Sequence, residues 1–255
     1  AWQINKEDFF APVSDVINSL KIRTSYGSTG NQEIGEYQSL ATLTSVKYLF
    51  GDQIFTGFTP TRIANADLGW ELTNQFDAGI DVGFLNDKIN LTLDVYRKTT
   101  KDLLLDVQIP YTTGYTSSLQ NFGSVQNHGI ELGINASLGN TAFSWASNFN
   151  ISFNQNKIVA LGNDAEFYTF GNYILKKGES LGTFYGAITD GILQTADIAT
   201  KGALTGNAAP KAGDRLYKDI NGDGVFTTAA DRTSIGDAQP DFTFGFTNNF
   251  TYKAF

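Results

Sequence analysis

Apolar residues fall on every second position over long stretches of this chain. Phe76, Ala78, Ile80, Val82 and Phe84 alternate with Asp77, Gly79, Asp81 and Gly83. After Leu85-Asn86-Asp87-Lys88 the pattern resumes as Ile89, Leu91, Leu93 and Val95, interleaved with Asn90, Thr92, Asp94 and Tyr96. A period of two defines a pleated strand with one apolar and one polar face. Each run lasts about 9–11 residues, the length of a tilted strand that crosses a bilayer, whereas strands of soluble domains average about 5–6. The alternation recurs at Leu20–Tyr26, Ile130–Leu138, Phe143–Phe153 and Phe242–Tyr252, which predicts six long strands in all.

The connections add what periodicity alone lacks. Ala1–Asn18 reads as irregular. Gly27–Gly69 is a long link with turn signals at Ser28-Thr29-Gly30-Asn31 and Thr59-Pro60 and a short hairpin around Leu40–Phe55. Leu103–Val107 reads as an extension of the strand that begins at Ile89. Pro110–Asn127 is irregular, Gly139-Asn140-Thr141 a tight turn, and Asn154–Asp241 the longest irregular region. The links therefore run long, short, long, short, long. Outer-membrane barrels alternate in this way, with short periplasmic turns and long extracellular loops. Sandwiches have no reason to.

On this reading Gly79, Asp81, Gly83, Glu131, Gly133, Asn135, Asn148 and Asn150 face a wet or plugged interior. Trp70, Phe84, Tyr96, Trp145, Phe153 and Tyr252, near strand ends, are candidate interfacial anchors. The same polar positions would also suit the solvent face of a sandwich.

Composition narrows the partners. The 255 residues include no Cys and no Met, 20 Phe and 11 Tyr, and carry a net charge of −8. Disulfides and Cys-based metal or redox sites are excluded. Without clustered Lys and Arg, nucleic acid is excluded as a partner. No apolar run is long enough for a membrane-spanning helix.

Several stretches, in order, resemble one family. Leu20-Lys21-Ile22-Arg23-Thr24-Ser25-Tyr26-Gly27-Ser28-Thr29-Gly30-Asn31-Gln32 is similar to the "LKLRASYGxTGNQ" segment of SusC/RagA-like TonB-dependent outer-membrane transporters. Leu68-Gly69-Trp70-Glu71, Gly83-Phe84-Leu85-Asn86 and the run from Tyr96 to Leu104 follow. Thr113-Gly114-Tyr115, the run from Asn121 to Val125 and Gly129-Ile130-Glu131-Leu132 resemble its "TGY" and "NxGxVxNxGxEL" patterns. The runs from Gly178 to Gly186 and from Asp219 to Gly224 are similar to a late loop, and that from Pro240 to Phe246 to a late strand.

The resemblance implies an all-β fold. Residues 1–255 would form part of the antiparallel transmembrane β-barrel, which closes with about 22 strands, with the plug domain and the barrel's C-terminal strands lying outside this chain. Phe255 would then be an internal aromatic, not a barrel terminus. It implies active import of oligosaccharides or peptides across the Gram-negative outer membrane, powered by the TonB–ExbB–ExbD complex, together with a SusD-like surface lipoprotein. No enzyme activity is implied. The alternative is a secreted Ca²⁺-dependent β-sandwich adhesin or carbohydrate-binding module. A β-structured hydrolase would need a carboxylate pair in a cleft, and no pair stands out.

One motif carries explicit ligand chemistry. Asp219, Asn221 and Asp223 with Gly224 and the Val225 carbonyl match the first seven positions of a Ca²⁺ loop. The closing position is Ala230, so Asp231 would complete the set. The competing reading is a turn held by Asx hydrogen bonds. His128, the sole histidine, is placed at the start of the strand at Gly129, and no catalytic constellation is present. Loop aromatics, among them Tyr37, Phe58, Tyr111, Phe184 and Tyr185, are candidates for stacking on a sugar or docking a partner, or for packing among loops.

Overall fold

The alternating runs form one antiparallel meander. A computed structural model describes residues 1–32, 34–139 and 142–253. Residues 140 and 141, in the turn expected after Gly139, and Phe255 lie outside the described residues. Two units are present, Ala1–Asp164 with Pro240–Phe255, and Ala165–Gln239.

The strands of the first unit are β1 (Trp2–Gln3), β2 (Ile17–Asn31), β3 (Thr42–Phe50), β4 (Gln53–Arg62), β5 (Glu71–Phe84), β6 (Ile89–Lys101), β7 (Leu104–Gln108), β8 (Ser117–Asn121), β9 (Gly123–Gly139) and β10 (Phe143–Leu161). The second unit holds β11 (Phe167–Phe170), β12 (Tyr173–Lys176), β13 (Thr183–Ala187), β14 (Thr189–Ile192), β15 (Arg215–Tyr217) and β16 (Arg232–Gly236). The chain then returns to the first unit as β17 (Thr243–Tyr252). The main sheet has seven strands in the order β1-β2-β5-β6-β9-β10-β17. Hairpins β3–β4 and β7–β8 branch from the long links.

Register separates two chemistries. Leu20, Val82, Leu91, Ile134, Phe149 and Phe246 lie in one cross-strand row. The adjacent row on the opposite face runs Lys21, Asp81, Thr92, Gly133, Asn150 and Gly245. A slip of one residue would exchange the two faces, so the apolar face specifies the pairing.

Nothing in the described structure covers that apolar face. Phe76, Ile130, Phe143, Phe153, Phe244, Phe246 and Phe250 are all exposed, Phe246 at 62%. The accessible surface is 17248 Å², whereas a globular monomer of this mass has about 11,000 Å². A β-sandwich would bury these rings between two sheets about 10 Å apart, so the adhesin alternative is overturned. The buried apolar residues of the first unit are Phe10, Phe122, Val125 and Ile158. Val125 and Ile158 pair near one end of β9 and β10, where Val125 also faces Thr100 of β6, and the Phe122 ring lies against Gly162.

On the outward face the apolar band has a sharp upper limit. Above Tyr26, Phe76, Val95, Ile130 and Phe153 the outward positions become Ser28, Asn74, Arg97, His128 and Gln155. From Phe143 to Phe153 on β10, at ~3.3 Å per residue and ~40° tilt, the band spans about 25 Å, which matches the hydrocarbon belt of outer-membrane barrels.

Several expectations for the ends are corrected. Ser28–Asn31 is strand, because it pairs with Glu71–Asn74 across the sheet. Pro60 sits within β4, opposite Leu43 and beside a register shift, where its missing N–H is tolerated in a two-stranded ribbon. Leu103–Val107 does not extend β6. The chain breaks at Asp102, with φ of 57°, and β7 pairs with β8 instead. Ser117–Asn127, read as irregular, is largely strand. His128 lies inside β9, on the outward face beyond the apolar band, and its Nδ1 is buried without a hydrogen-bond partner.

Candidate functional site

Strands β2, β5 and β6 bring Arg23, Asp81 and Asp94 together on the polar face. Arg23 donates through Nε and Nη2 to Asp81 at 2.9 and 3.0 Å, and through Nη2 to Asp94 at 3.1 Å. Lys21 Nζ lies 3.7 Å from Asp81. The fork of one guanidinium thus ties two carboxylates on two neighbouring strands. Gly79 makes room for it, because a Cβ there would overlap Asp94 and crowd Arg23.

Further along the face, Tyr96 lies against Gly129 and donates its hydroxyl to Asn154 at 2.7 Å. Tyr96 is therefore on the inner face and is not the interfacial anchor expected from its position near a strand end. Asn148 donates to Asn135 at 2.5 Å, Asn156 to Asn127 at 2.7 Å, and Ser152 and Thr243 share a 2.7 Å bond. Phe84, Trp145, Phe153 and Tyr252 are on the outward face as expected, while Trp70 precedes β5 and lies against Gly30.

The short turn between β5 and β6 holds three consecutive residues at positive φ, Leu85 at 54°, Asn86 at 59° and Asp87 at 60°. Asn18 clamps it from the neighbouring strand, accepting from the Asn86 N–H and donating to its side-chain oxygen. Asn and Asp tolerate this region of the backbone better than Leu does.

The candidate calcium loop lies in the second unit. Asp219 accepts the N–H of Gly222 at 2.6 Å and of Gly224 at 2.7 Å, and Asn221 accepts that of Asp223 at 3.1 Å. Asp223 accepts from Val225 N–H at 2.8 Å and from the Asn221 amide at 2.9 Å. Asp231 faces the main chain. It is fully buried, and its two oxygens accept the N–H groups of Ile220 at 3.0 Å and Thr227 at 2.7 Å. Among the described residues no three His, Asp or Glu side chains are gathered as a metal centre would gather them. The fit to Ca²⁺ is therefore partial, and Asp231 acts as a brace across the loop.

Those main-chain hydrogen bonds, Thr227 N–H first and Ile220 N–H second, hold the Asp231 carboxyl below its ordinary value of 3.8. A lowered carboxylate stabilises the fold above the unfolded value, and that contribution disappears as pH falls through the folded one. Hydrogen exchange at the Ile220 and Thr227 amides, corrected for intrinsic rates, is expected to show full protection at neutral pH. Protection should be lost only once the solution is more acidic than the usual aspartate range. Asp231→Asn should remove that pH dependence.

Beside the brace lies a cleft of about 470 Å³ lined by Phe184, Tyr185, Tyr217, Phe226, Thr228 and Arg232, among others. Tyr217 and Phe226 stack at 4.3 Å between centroids. The Arg232 guanidinium lies 4.4 Å over the Tyr185 ring. Of these, only Phe184 and Tyr185 were legible beforehand, as loop aromatics. Phe226 and Arg232 had a signal too, since both flank the Asp/Asn/Gly motif. A second cleft, of about 520 Å³ in the first unit, is lined by Gln38, Arg62, Asp106 and neighbours. Tyr37, Phe58 and Tyr111 stand exposed on the long links.

A single-layer meander with an uncovered apolar band, a hydrogen-bonded polar face and alternating short and long links is a section of a transmembrane β-barrel wall. Residues 5–252 match the family model "TonB dependent receptor-like, beta-barrel", and the chain belongs to that family of outer-membrane receptors. TonB-dependent receptor P3 of Formosa agariphila is 39% identical over 266 residues, covering 100% of this chain and 26% of that protein. TonB-dependent receptor SusC of Bacteroides thetaiotaomicron is 32% identical over 263 residues, again 100% of this chain and 26% of SusC. Among solved structures, the RagAB peptide importer in its closed-closed state superposes with a TM-score of 0.80 at 28% identity. That match covers 99% of this chain and 27% of the importer chain. The chain thus spans about a quarter of the length of the relatives it matches.

Proposed function

We propose that the chain is part of the barrel wall of an importer that moves oligosaccharides or peptides across the outer membrane, driven by the TonB–ExbB–ExbD complex. The observation that carries this reading is the outward apolar band opposite an inner face of charged and amide groups. Such a wall suits a wet passage through lipid. The likeness to SusC and to a RagAB peptide importer supports import and supports a SusD-like lipoprotein as partner at the long links. Residues 1–255 would supply strands and extracellular loops, with plug and remaining strands elsewhere in the full-length protein. No step of import requires covalent chemistry on the cargo, so the protein is not an enzyme on this reading.

The test is uptake by cells that carry the full-length receptor. Fluorescent oligosaccharides and peptides should accumulate in the periplasm only when TonB is functional, and the lipoprotein should co-purify with the receptor. Uptake that persists at full rate without TonB would sink the proposal.

Calcium in the Asp219–Val225 loop is a separate proposal, through Asp219, Asn221, Asp223 and the Val225 carbonyl, with Asp231 bracing the loop instead of ligating. The second lone pair of each oxygen is what supports it. Added Ca²⁺ should then slow hydrogen exchange at Gly222 and Gly224, and unchanged exchange at millimolar Ca²⁺ would reduce the loop to its Asx turns.

A further inference from the structure

The cleft of the second unit contains a cation with no counter-ion. Arg232 spends its Nη2 on the carbonyls of Tyr185 at 2.6 Å and Gly171 at 2.7 Å and on the Asn172 side-chain oxygen at 3.3 Å. That nitrogen has two N–H groups and three acceptors, so its position is fixed. Nε and Nη1 have no acceptor among the described residues, and no described carboxylate lies within ion-pair distance of the guanidinium. Carboxylates are not scarce in this chain, which has 26 acidic side chains against 18 Lys and Arg. Asp231, next to Arg232 in sequence, and Glu179, hydrogen-bonded to Ser234 of the same strand, are both engaged elsewhere. Asp231 accepts the Ile220 and Thr227 N–H groups. Glu179 is bound by Lys176 at 3.0 Å and Ser234 at 2.5 Å.

We propose that this cleft binds a carboxylate-bearing ligand, with Arg232 as the anion anchor and the rings of Tyr185, Tyr217 and Phe226 as its apolar wall. The proposal rests on reading the chain as part of an importer, and it narrows the cargo to acidic molecules. Arg232 keeps its Nε and Nη1 N–H groups unused; they point in different directions because Nη2 completes both forks of the guanidinium, so each offers a carboxylate one charge-assisted hydrogen bond. The cation over Tyr185 is held in place by the ring face without being neutralised. The loop motif explains how the cleft is built. Asp231 pins Ile220 and Thr227, and so fixes Phe226 and Thr228 on one side of the brace and Arg232 on the other. A uronic sugar and an acidic peptide offer the same carboxylate, and the experiment separates them.

The full-length receptor, purified in detergent, is titrated calorimetrically with trigalacturonate, with tetraglutamate and with maltotetraose as the neutral control. At least one acidic probe should bind, and which one identifies the source of the carboxylate. Arg232→Gln should weaken that binding roughly 10- to 100-fold, the range for a hydrogen bond to a charged group. Thr228→Glu places a like charge at the rim and should weaken it several-fold without touching the carbonyls that Arg232 holds. This second variant keeps the test decisive if the first misfolds, which heat-modifiable migration on a gel would reveal. Acidic probes that bind no better than maltotetraose, or affinities that neither variant changes, would overturn the assignment. TonB-dependent uptake measured in parallel separates the two failures. If uptake persists while binding ignores Arg232, only the cleft assignment falls, and if uptake is independent of TonB the importer reading falls as well.

Discussion

Arginine in place of Phe149 is expected to prevent the full-length barrel from assembling, whereas arginine in place of Asn150, the next residue, is expected to be tolerated. Phe149 lies mid-band on the outward face, between Ile134 and Phe246. A charge there would be held at the centre of the hydrocarbon, at a cost of about 2–4 kcal/mol. Native stabilities are about 5–15 kcal/mol in total, so this one substitution removes a large fraction. Asn150 lies on the inner face between Gly133 and Gly245, where a long polar side chain meets open space and water. The measurement is the fraction of heat-modifiable barrel in isolated outer membranes, with urea unfolding in lipid vesicles as the quantitative check. Equal tolerance of both substitutions, or equal failure, would mean that the faces are assigned wrongly.

Arg23→Gln is expected to destabilise the barrel by about 1–3 kcal/mol, the range for hydrogen bonds to charged groups. The substitution leaves Asp81 and Asp94 side by side with only Lys21 to compensate. The side chains are 34–36% exposed, so solvent screening places the effect toward the lower end of that range. A urea midpoint measured for Arg23→Gln and for the triple variant with Asp81→Asn and Asp94→Asn provides the check. The triple variant should regain most of the loss, because it removes the uncompensated carboxylates along with the cation. High salt should shrink the gap between wild type and single variant. A single variant that unfolds at the wild-type midpoint would show that the cluster contributes nothing to the wall.

The six long strands were legible because each keeps period two over enough residues to exclude a helix, and because only the register with the apolar rows aligned buries no charge in lipid. Their ends were not. Ser28-Thr29-Gly30-Asn31 has the composition of a turn, yet a paired partner at Glu71–Asn74, far away in sequence, holds it extended. Tyr96 and Phe84 both look like anchors at strand ends, but Tyr96 belongs to the polar register. The break at Asp102 needs one residue at positive φ, which no pattern announces.

The second unit resisted reading for a different reason. Its strands are three to five residues long, too short for periodicity to register, and they are held by the buried brace at Asp231 and by side-chain contacts. The motif at Asp219–Gly224 was visible, and its chemistry suggested a cation. That it also positions Phe226 and Arg232 follows only from the three-dimensional arrangement.

Gly79, Gly83, Gly129, Gly133 and Gly245 all belong to the inner rows of the sheet. Where four of them stand, a neighbour's side chain lies across the missing Cβ: Arg23 and Asp94 at Gly79, Ser19 and Asp87 at Gly83, Tyr96 and Asn154 at Gly129, and Asn150 at Gly245. For a given number of strands, the bore of such a cylinder is then wider than a lining of ordinary side chains would leave it. Calibre is therefore written into this wall one hydrogen atom at a time, and a bulky replacement at these positions would push those crossing side chains off the wall.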